Sequence, residues 1–369
     1  MKINKIRLIS AFALISVLFL SQNSFAQDDA AQKKQQAYSL MQSKTKDGYK
    51  KALDIFTKLA KDGDGEAQYQ TGMFYFDGLG VSKDMDKANK WFQKSGDAGY
   101  PAGQFMVGEK YYFSKKFTDA FNWYKKAADQ GYEAAQLDTG YMLTQGVGVD
   151  VNKLEGLEWY KKAAAQGNAS AMYNIGQMNE NGEGIPADAQ EAVKWYTQAA
   201  AKDHKNSLKK LVLIYYNSKG SVAKDYKKAA DYIQQLTALG DKSFSQVLGD
   251  MYIRGNGVQK DVNKGAGILE DAFSGGQAYA GQSLGLFYYK GEFMPKDYAK
   301  AADWFAKSAD KAPLSAFMLY HMYKSGTGVE KDSAAADKYY GKLTLAAGSG
   351  NKEAQDIVAN LQTYEDKYK

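Results

Sequence analysis

Few residues in this 369-residue chain could carry out chemistry, and their spacing narrows the choice further. Cysteine is absent, which excludes disulfides, thiolate nucleophiles, cysteine zinc sites and lipoprotein anchoring. His204 and His321 are the only histidines, too few for a histidine-rich metal site or several acid–base histidines. Gly-x-Gly recurs at Gly78, Gly146, Gly182, Gly255 and Gly326. A phosphate loop needs a strand before the glycines and a helix after them. Here a helical pattern precedes each pair, and no third glycine or Gly-Lys-Ser/Thr follows, so these are turn glycines at helix ends. Ser-x-x-Lys, a nucleophile–lysine spacing, occurs at Ser43, Ser207, Ser221, Ser308 and Ser349. Lysine is so frequent that such pairs arise by chance, and no Ser-Asp-Asn accompanies them. Lys94-Ser95-Gly96 and Lys324-Ser325-Gly326 lie at helix ends, not on the strand a serine enzyme of that kind requires. Asp62-Gly63-Asp64-Gly65-Glu66 alternates carboxylates without the spacing of a calcium loop. The chain is therefore expected to hold no catalytic residue, no metal and no cofactor.

The formal charge is +6. Part of it belongs to a leader: Lys2, Lys5 and Arg7 precede an apolar run, Leu8–Leu20, and then Ser24-Phe25-Ala26. That order is a secretory signal peptide, with cleavage expected after Ala26. The apolar run is too short to span a bilayer comfortably. Cleavage removes three basic and no acidic residues, so +6 becomes +3. Arg254 is then the only arginine, and no aromatic–basic motif accompanies the lysines. Nucleic-acid binding is not expected. No other long apolar run exists, so the mature protein is expected in the periplasm or secreted, with no integral membrane segment.

The remaining residues are organised around one stretch of about 36, plainest at Ala135–Ser170. It reads as two short helices joined by a Gly-rich turn. A first-helix slot holds Gly72, Gly108, Gly140, Gly176, Leu213, Gly249, Gly285 and Tyr320, at spacings of 36, 32, 36, 37, 36, 36 and 35. A capping side chain opens the second helix at Asp84, Asn152, Asp188, Asp225, Asp261, Asp297 or Asp332. A large residue follows at Trp91, Trp123, Trp159, Trp195, Tyr232, Ile268, Trp304 or Tyr339, and all five tryptophans fall in this slot. Small slots let helix backbones approach, and the aromatic slot is expected to fill the space beside them. One pair cannot bury its apolar face alone, so the pairs must stack. The second copy lacks the Gly-x-Gly turn, and the fifth, Leu208–Phe244, is the most degenerate and a candidate bend or weak point. Residues 27–46 form a polar segment expected to become helical near Ala37–Lys44. Lys352–Tyr368 reads as one closing amphipathic helix.

The pattern A…LG..Y..G.GV..D…A..W…AA..G, plain at Leu248–Asp261, resembles the Sel-one-like repeat (SLR) family of the tetratricopeptide superfamily, from roughly Tyr49 to Ala354. The resemblance implies an all-α fold: an α/α superhelical solenoid of about eight full helix–turn–helix repeats, with an N-terminal partial repeat and a C-terminal capping helix. The expected divisions are 1–26 signal peptide, 27–46 polar segment, 47–354 repeat solenoid and 355–369 capping helix. It also implies a non-enzymatic scaffold or regulator that binds a protein partner. The alternative is an immunity protein against a secreted toxin such as a phospholipase. Some cysteine-rich secreted relatives are linked to β-lactams, but this chain lacks their cysteines.

In the family, first helices line the concave side. Positions −3, +1 and +4 from the glycine slot form a stripe beside the core face there. The first four copies place Tyr69/Met73/Phe76, Phe105/Glu109/Tyr112, Leu137/Tyr141/Thr144 and Tyr173/Gln177/Glu180 on it. Tyr69, Phe76, Phe105, Tyr112, Tyr141 and Tyr173 are the candidate partner-binding residues. Either these rings line a groove, or they pack between neighbouring first helices. His321, on the same stripe in the last copy, is expected at the surface.

Overall fold

A computed structural model of the chain describes residues 28–368. The leader and its cleavage site lie outside the described residues. Among the described residues there are twenty helices and no strand. They form two compact units. The first holds α1 (28–42), α2 (Lys46–Lys61), α3 (Gly65–Asp77), α4 (Met85–Asp97), α5 (Pro101–Phe113), α6 (Phe117–Asp129), α7 (Glu133–Gln145), α8 (Lys153–Ala165) and α9 (Ala169–Asn181) through Met178. The second holds α10 (Ala189–Ala200), α11 (Lys205–Asn217), α12 (Tyr226–Ala238), α13 (Ser245–Arg254), α14 (Val262–Ser274), α15 (Ala278–Lys290), α16 (Tyr298–Ser308), α17 (Pro313–Ser325), α18 (Ser333–Gly348), α19 (Lys352–Ala359) and α20 (Leu361–Tyr368).

The helix ends follow from the expected side chains. Asp84 Oδ1 accepts the Lys87 N–H at 2.9 Å, and Asn152, Asp188, Asp225, Asp261, Asp297 and Asp332 cap their helices in the same way. First helices end on a left-handed glycine, as at Gly78 with φ 75° and Gly146 with φ 71°. In the second copy α5 passes to α6 through a three-residue turn with Lys115 at φ 58°. In the fifth copy the closing residue is Ser218 at φ 68°, followed by a small bridge between Lys219 and Val222.

Each first helix meets its own second helix through the glycine slot. A Cβ on Gly72 would sit 2.5 Å from the Phe92 ring, and one on Gly108 would sit 2.5 Å from Tyr124. This corrects the reading of the tryptophan slot. The side chain against the glycine belongs to the residue after the tryptophan slot, Phe92, Tyr124, Tyr160, Leu269 or Phe305, and with Tyr196 and Ile233 at the same position these are all buried. Of the tryptophans only Trp159 is buried, at 5% exposure; the others are half-buried, and Trp91, Trp123 and Trp304 each lie under a lysine ammonium, as with Lys126 over Trp123 at 4.1 Å. The tryptophans thus shield the repeat seams, while the next residue fills the core.

Three further expectations change. The polar N-terminal segment is helical from 28, well before Ala37, because Ala37 and Tyr38 pack on Phe56 of α2 while Lys34 reaches Glu66 at 2.6 Å. His321 is buried at 7% exposure, stacked on Phe317 at 6.1 Å. The closing segment is two helices, broken at Asn360, whose side chain bonds back to Asp356. A ladder of glutamines, unforeseen in the sequence, ties repeats of the first unit: exposed Gln130 donates to buried Gln104, and exposed Gln166 to buried Gln136, each at 2.8 Å.

Candidate functional site

The candidate stripe lies in the first unit. There α3 and α5 approach each other directly, whereas α4 and α6 make no comparable approach, so the first helices take the inner side. Most of the stripe rings are shared between packing and surface. Tyr69 lies 5.9 Å from Phe92 and 5.7 Å from Tyr100; Phe76 lies 6.2 Å from Phe92. Phe105 lies 5.4 Å from Tyr124 and 5.3 Å from Tyr132. Tyr112 lies 5.3 Å from Phe117 and 6.4 Å from Tyr124. All four are half-buried, as is Tyr173; Tyr141 is exposed, at 41%. The N-terminal rings of the stripe lean on second-helix aromatics such as Phe92 and Tyr124, and its middle opens.

That opening is a cavity of about 330 Å³ between α5, α6 and α7, walled by Glu109, Tyr112, Phe113, Asp138 and Tyr141, with Tyr124 below. The Tyr124 hydroxyl donates to Glu109. Asp138 has no hydrogen-bond partner and no cation beside it among the described residues. Burial, and then the charge of Glu109, push its carboxyl up to about 7. Two other first-helix carboxylates are paired with a lysine, whereas Asp250 of α13 has a buried carboxyl oxygen and, among the described residues, no salt bridge, and burial pushes its carboxyl up to about 6. Glu66 has Lys34 at 2.6 Å, and in the second unit Glu180 has Lys210 at 2.8 Å. Glu109 was on the stripe as read from sequence; Asp138 was not, since it lies two residues before Gly140 on the next first helix.

The hydroxyls of four of the five Ser-x-x-Lys pairs bond elsewhere than to their lysines. Ser43 donates to the Leu40 carbonyl at 2.7 Å, Ser308 to Trp304 at 2.8 Å and Ser349 to Leu345 at 2.9 Å. Ser207 is fully buried beside His204 Nδ1 at 2.9 Å, within the cap of α11. No group of metal-binding side chains occurs among the described residues. None of these is long and apolar enough a helix to cross a membrane.

The Sel1 repeat model matches residues 65–100, 101–132, 133–168, 169–204, 213–241, 247–272, 279–313 and 314–343. The chain belongs to the Sel1 repeat family. Sel1 repeats are typically protein-interaction scaffolds. Their pattern lapses at 205–212, in the degenerate fifth copy. A protective antigen of uropathogenic Escherichia coli displaying an SLR fold is 29% identical, with a TM-score of 0.69 over 86% of this chain and 69% of that one. A Sel1 repeat protein of Oxalobacter formigenes is 28% identical, with a TM-score of 0.55 over 64% of this chain and 95% of that one. An immunity protein of Pseudomonas aeruginosa is 22% identical, with a TM-score of 0.37 over 57% and 82%, too slight a likeness to bear on function. No curated protein matches significantly.

Proposed function

We propose that this Sel1 repeat protein is an exported, non-enzymatic scaffold that binds another protein on the first-helix face of its N-terminal unit. The observation that carries the reading is the open middle of the stripe. There Tyr112 and Tyr141 flank a cavity whose Glu109 and Asp138 lack any cation among the described residues. Aromatic rings around desolvated polar groups are the composition of interface hot spots. Export is supported by the basic, apolar, small-residue order of residues 2–26.

The test is photo-crosslinking in intact cells. A benzophenone amino acid replaces Tyr141 or, as control, Leu154, which is exposed on α8. Protein adducts are expected from position 141 and not from 154. Adducts from 154 alone would move binding to the second-helix face, and none from either would remove the partner from the reading. N-terminal sequencing of the same material is expected to begin at Gln27.

A further inference from the structure

The chain supplies its own example of what the first-helix stripe can hold. In the second unit, α20 lies across α15 and α17. Tyr364 and Tyr368 pack on Phe317 at 5.6 and 6.0 Å. The Tyr289 hydroxyl donates to the Tyr368 carbonyl at 2.8 Å, and Lys324 pairs with Glu365 at 2.7 Å. The groups that receive α20 are stripe residues: Tyr289 is four after Gly285, while Phe317 and Lys324 are three before and four after Tyr320. Tyr368 is only 7% exposed, within the same cluster as Tyr289, Phe317 and Met318. An amphipathic helix on this stripe is therefore an observed arrangement in the molecule.

Repeat position carries the comparison to the first unit. Tyr112 stands where Tyr289 stands, and Tyr141 where His321 stands. The cavity between α5 and α7 thus corresponds by repeat position to the place of the Tyr368 ring. Two wall positions differ in kind: Leu286 and Met318 become Glu109 and Asp138. An apolar ring inserted there would strand two carboxylates. A cationic side chain would pair with both, and the surrounding tyrosine rings would favour it again. At about 330 Å³ the cavity is at the small end for ligand sites, which run to about 1,000 Å³, and suits one side chain rather than a whole cofactor.

We propose that the N-terminal stripe binds an amphipathic helix of a partner protein, with one basic side chain of that helix seated between Glu109 and Asp138. This rests on the proposed scaffold function and names what the same face recognises.

The probe is a set of alanine-rich helical peptides of about 16 residues, long enough to populate a helix. They carry the Leu361–Tyr368 sequence with Tyr368→Lys, with Tyr368 unchanged, or with Tyr368→Glu. Binding to the full-length mature chain is read by fluorescence anisotropy. The lysine peptide is expected to bind at least tenfold more tightly than the glutamate peptide. The double variant Glu109→Gln, Asp138→Asn should erase that preference, while Glu158→Gln, on exposed α8, should retain it. Both substitutions keep side-chain shape, and thermal melts confirm folding. Equal binding of lysine and glutamate peptides, no binding of any peptide up to millimolar, or a preference that survives the double variant would each overturn the proposal. Position-141 crosslinks mapping to a non-basic, non-helical segment would overturn it too, while leaving the scaffold function standing.

Discussion

The same repeat positions end in opposite states in the two units. At α15–α17 the stripe is closed by the chain's own α20, and its rings are core. At α5–α7 the same repeat positions enclose an open cavity with two carboxylates in its wall. Gly285 over Phe305 in one and Gly108 over Tyr124 in the other are alike, but α17 carries Tyr320 in the slot where α7 carries Gly140. One difference is side-chain polarity at two wall positions. Leu286 and Met318 reward burial by a tyrosine ring; Glu109 and Asp138 penalise it. Polarity at these wall positions thus sets whether the same repeat slots suit burial under a ring or stay available.

The largest effect expected from this contrast comes from the closed end. Phe317 is fully buried and touches both Tyr364 and Tyr368. Phe317→Ala should cost about 3–5 kcal/mol, as for an aromatic removed from a core. Solenoid stability is nearly nearest-neighbour, so the loss should stay in the C-terminal repeats and appear as a separate early melting phase. Chymotrypsin should then cut at Tyr364 well before the rest of the chain. Tyr112→Ala, at the half-buried corresponding region, should cost much less. Equal costs would mean that the open end is as firmly packed as the closed one.

How much of this was legible in sequence depends on the residue. Helix pairs, caps and turns could be read because each needs a particular residue type: Asp84 or Asn152 at an N-cap, Gly78 or Gly146 at positive φ. The true core ring was hidden because its slot accepts Phe92, Tyr124, Ile233 or Leu269 alike, while the more visible tryptophans mark the half-exposed seam. The fold-back of α20 was hidden for another reason. Asn360 is neither proline nor glycine, so the segment reads as one helix, and the docking partners Tyr289 and Phe317 are distant in sequence. Glu109 and Asp138 are 29 residues apart on separate helices. The fold alone sets α5, α6 and α7 around one cavity and so brings the two together.

A smaller effect, with an unusual sign, is expected at Asp138. Its carboxyl is raised from 3.8 to about 7 in the folded chain, first by burial and then by Glu109. Between those values the native state holds a proton that the unfolded chain has released. The folded state therefore loses stability as pH rises from about 4 to about 7, and the full penalty stands above that. Asp138→Asn should stabilise the first unit at pH 8 by on the order of 2 kcal/mol, after discounting for partial exposure, and leave it unchanged near pH 3.5. Urea melts at the two pH values decide it. A stabilising substitution that also abolishes peptide preference is what a site kept at the expense of stability should show. Destabilisation at pH 8 would mean that the open end is held together by the carboxylates.

The smallest effect tests the closed end with the opposite sign. Glu365 accepts from Lys324 Nζ at 2.7 Å and from the Tyr320 hydroxyl at 2.9 Å, and the Lys324 bond above all holds its carboxyl below the usual range. A lowered carboxyl contributes stability that is present above its unfolded value of 4.5 and is lost as pH falls through the lower folded value. Lys324 is half exposed, so the pair is worth about 0.5–1 kcal/mol, the range of a screened surface bridge. Glu365→Gln should therefore loosen α20 slightly at pH 7, read as faster chymotryptic cutting at Tyr364, and should match the parent at pH 2.5 in a hydrogen-exchange measurement of the same helix. High salt should shrink the difference at pH 7. Asp138→Asn gains stability where Glu365→Gln loses it, because one carboxylate lacks a cation and the other has one. If both substitutions moved stability the same way at neutral pH, the division of the stripe into a closed end and an available end would fail.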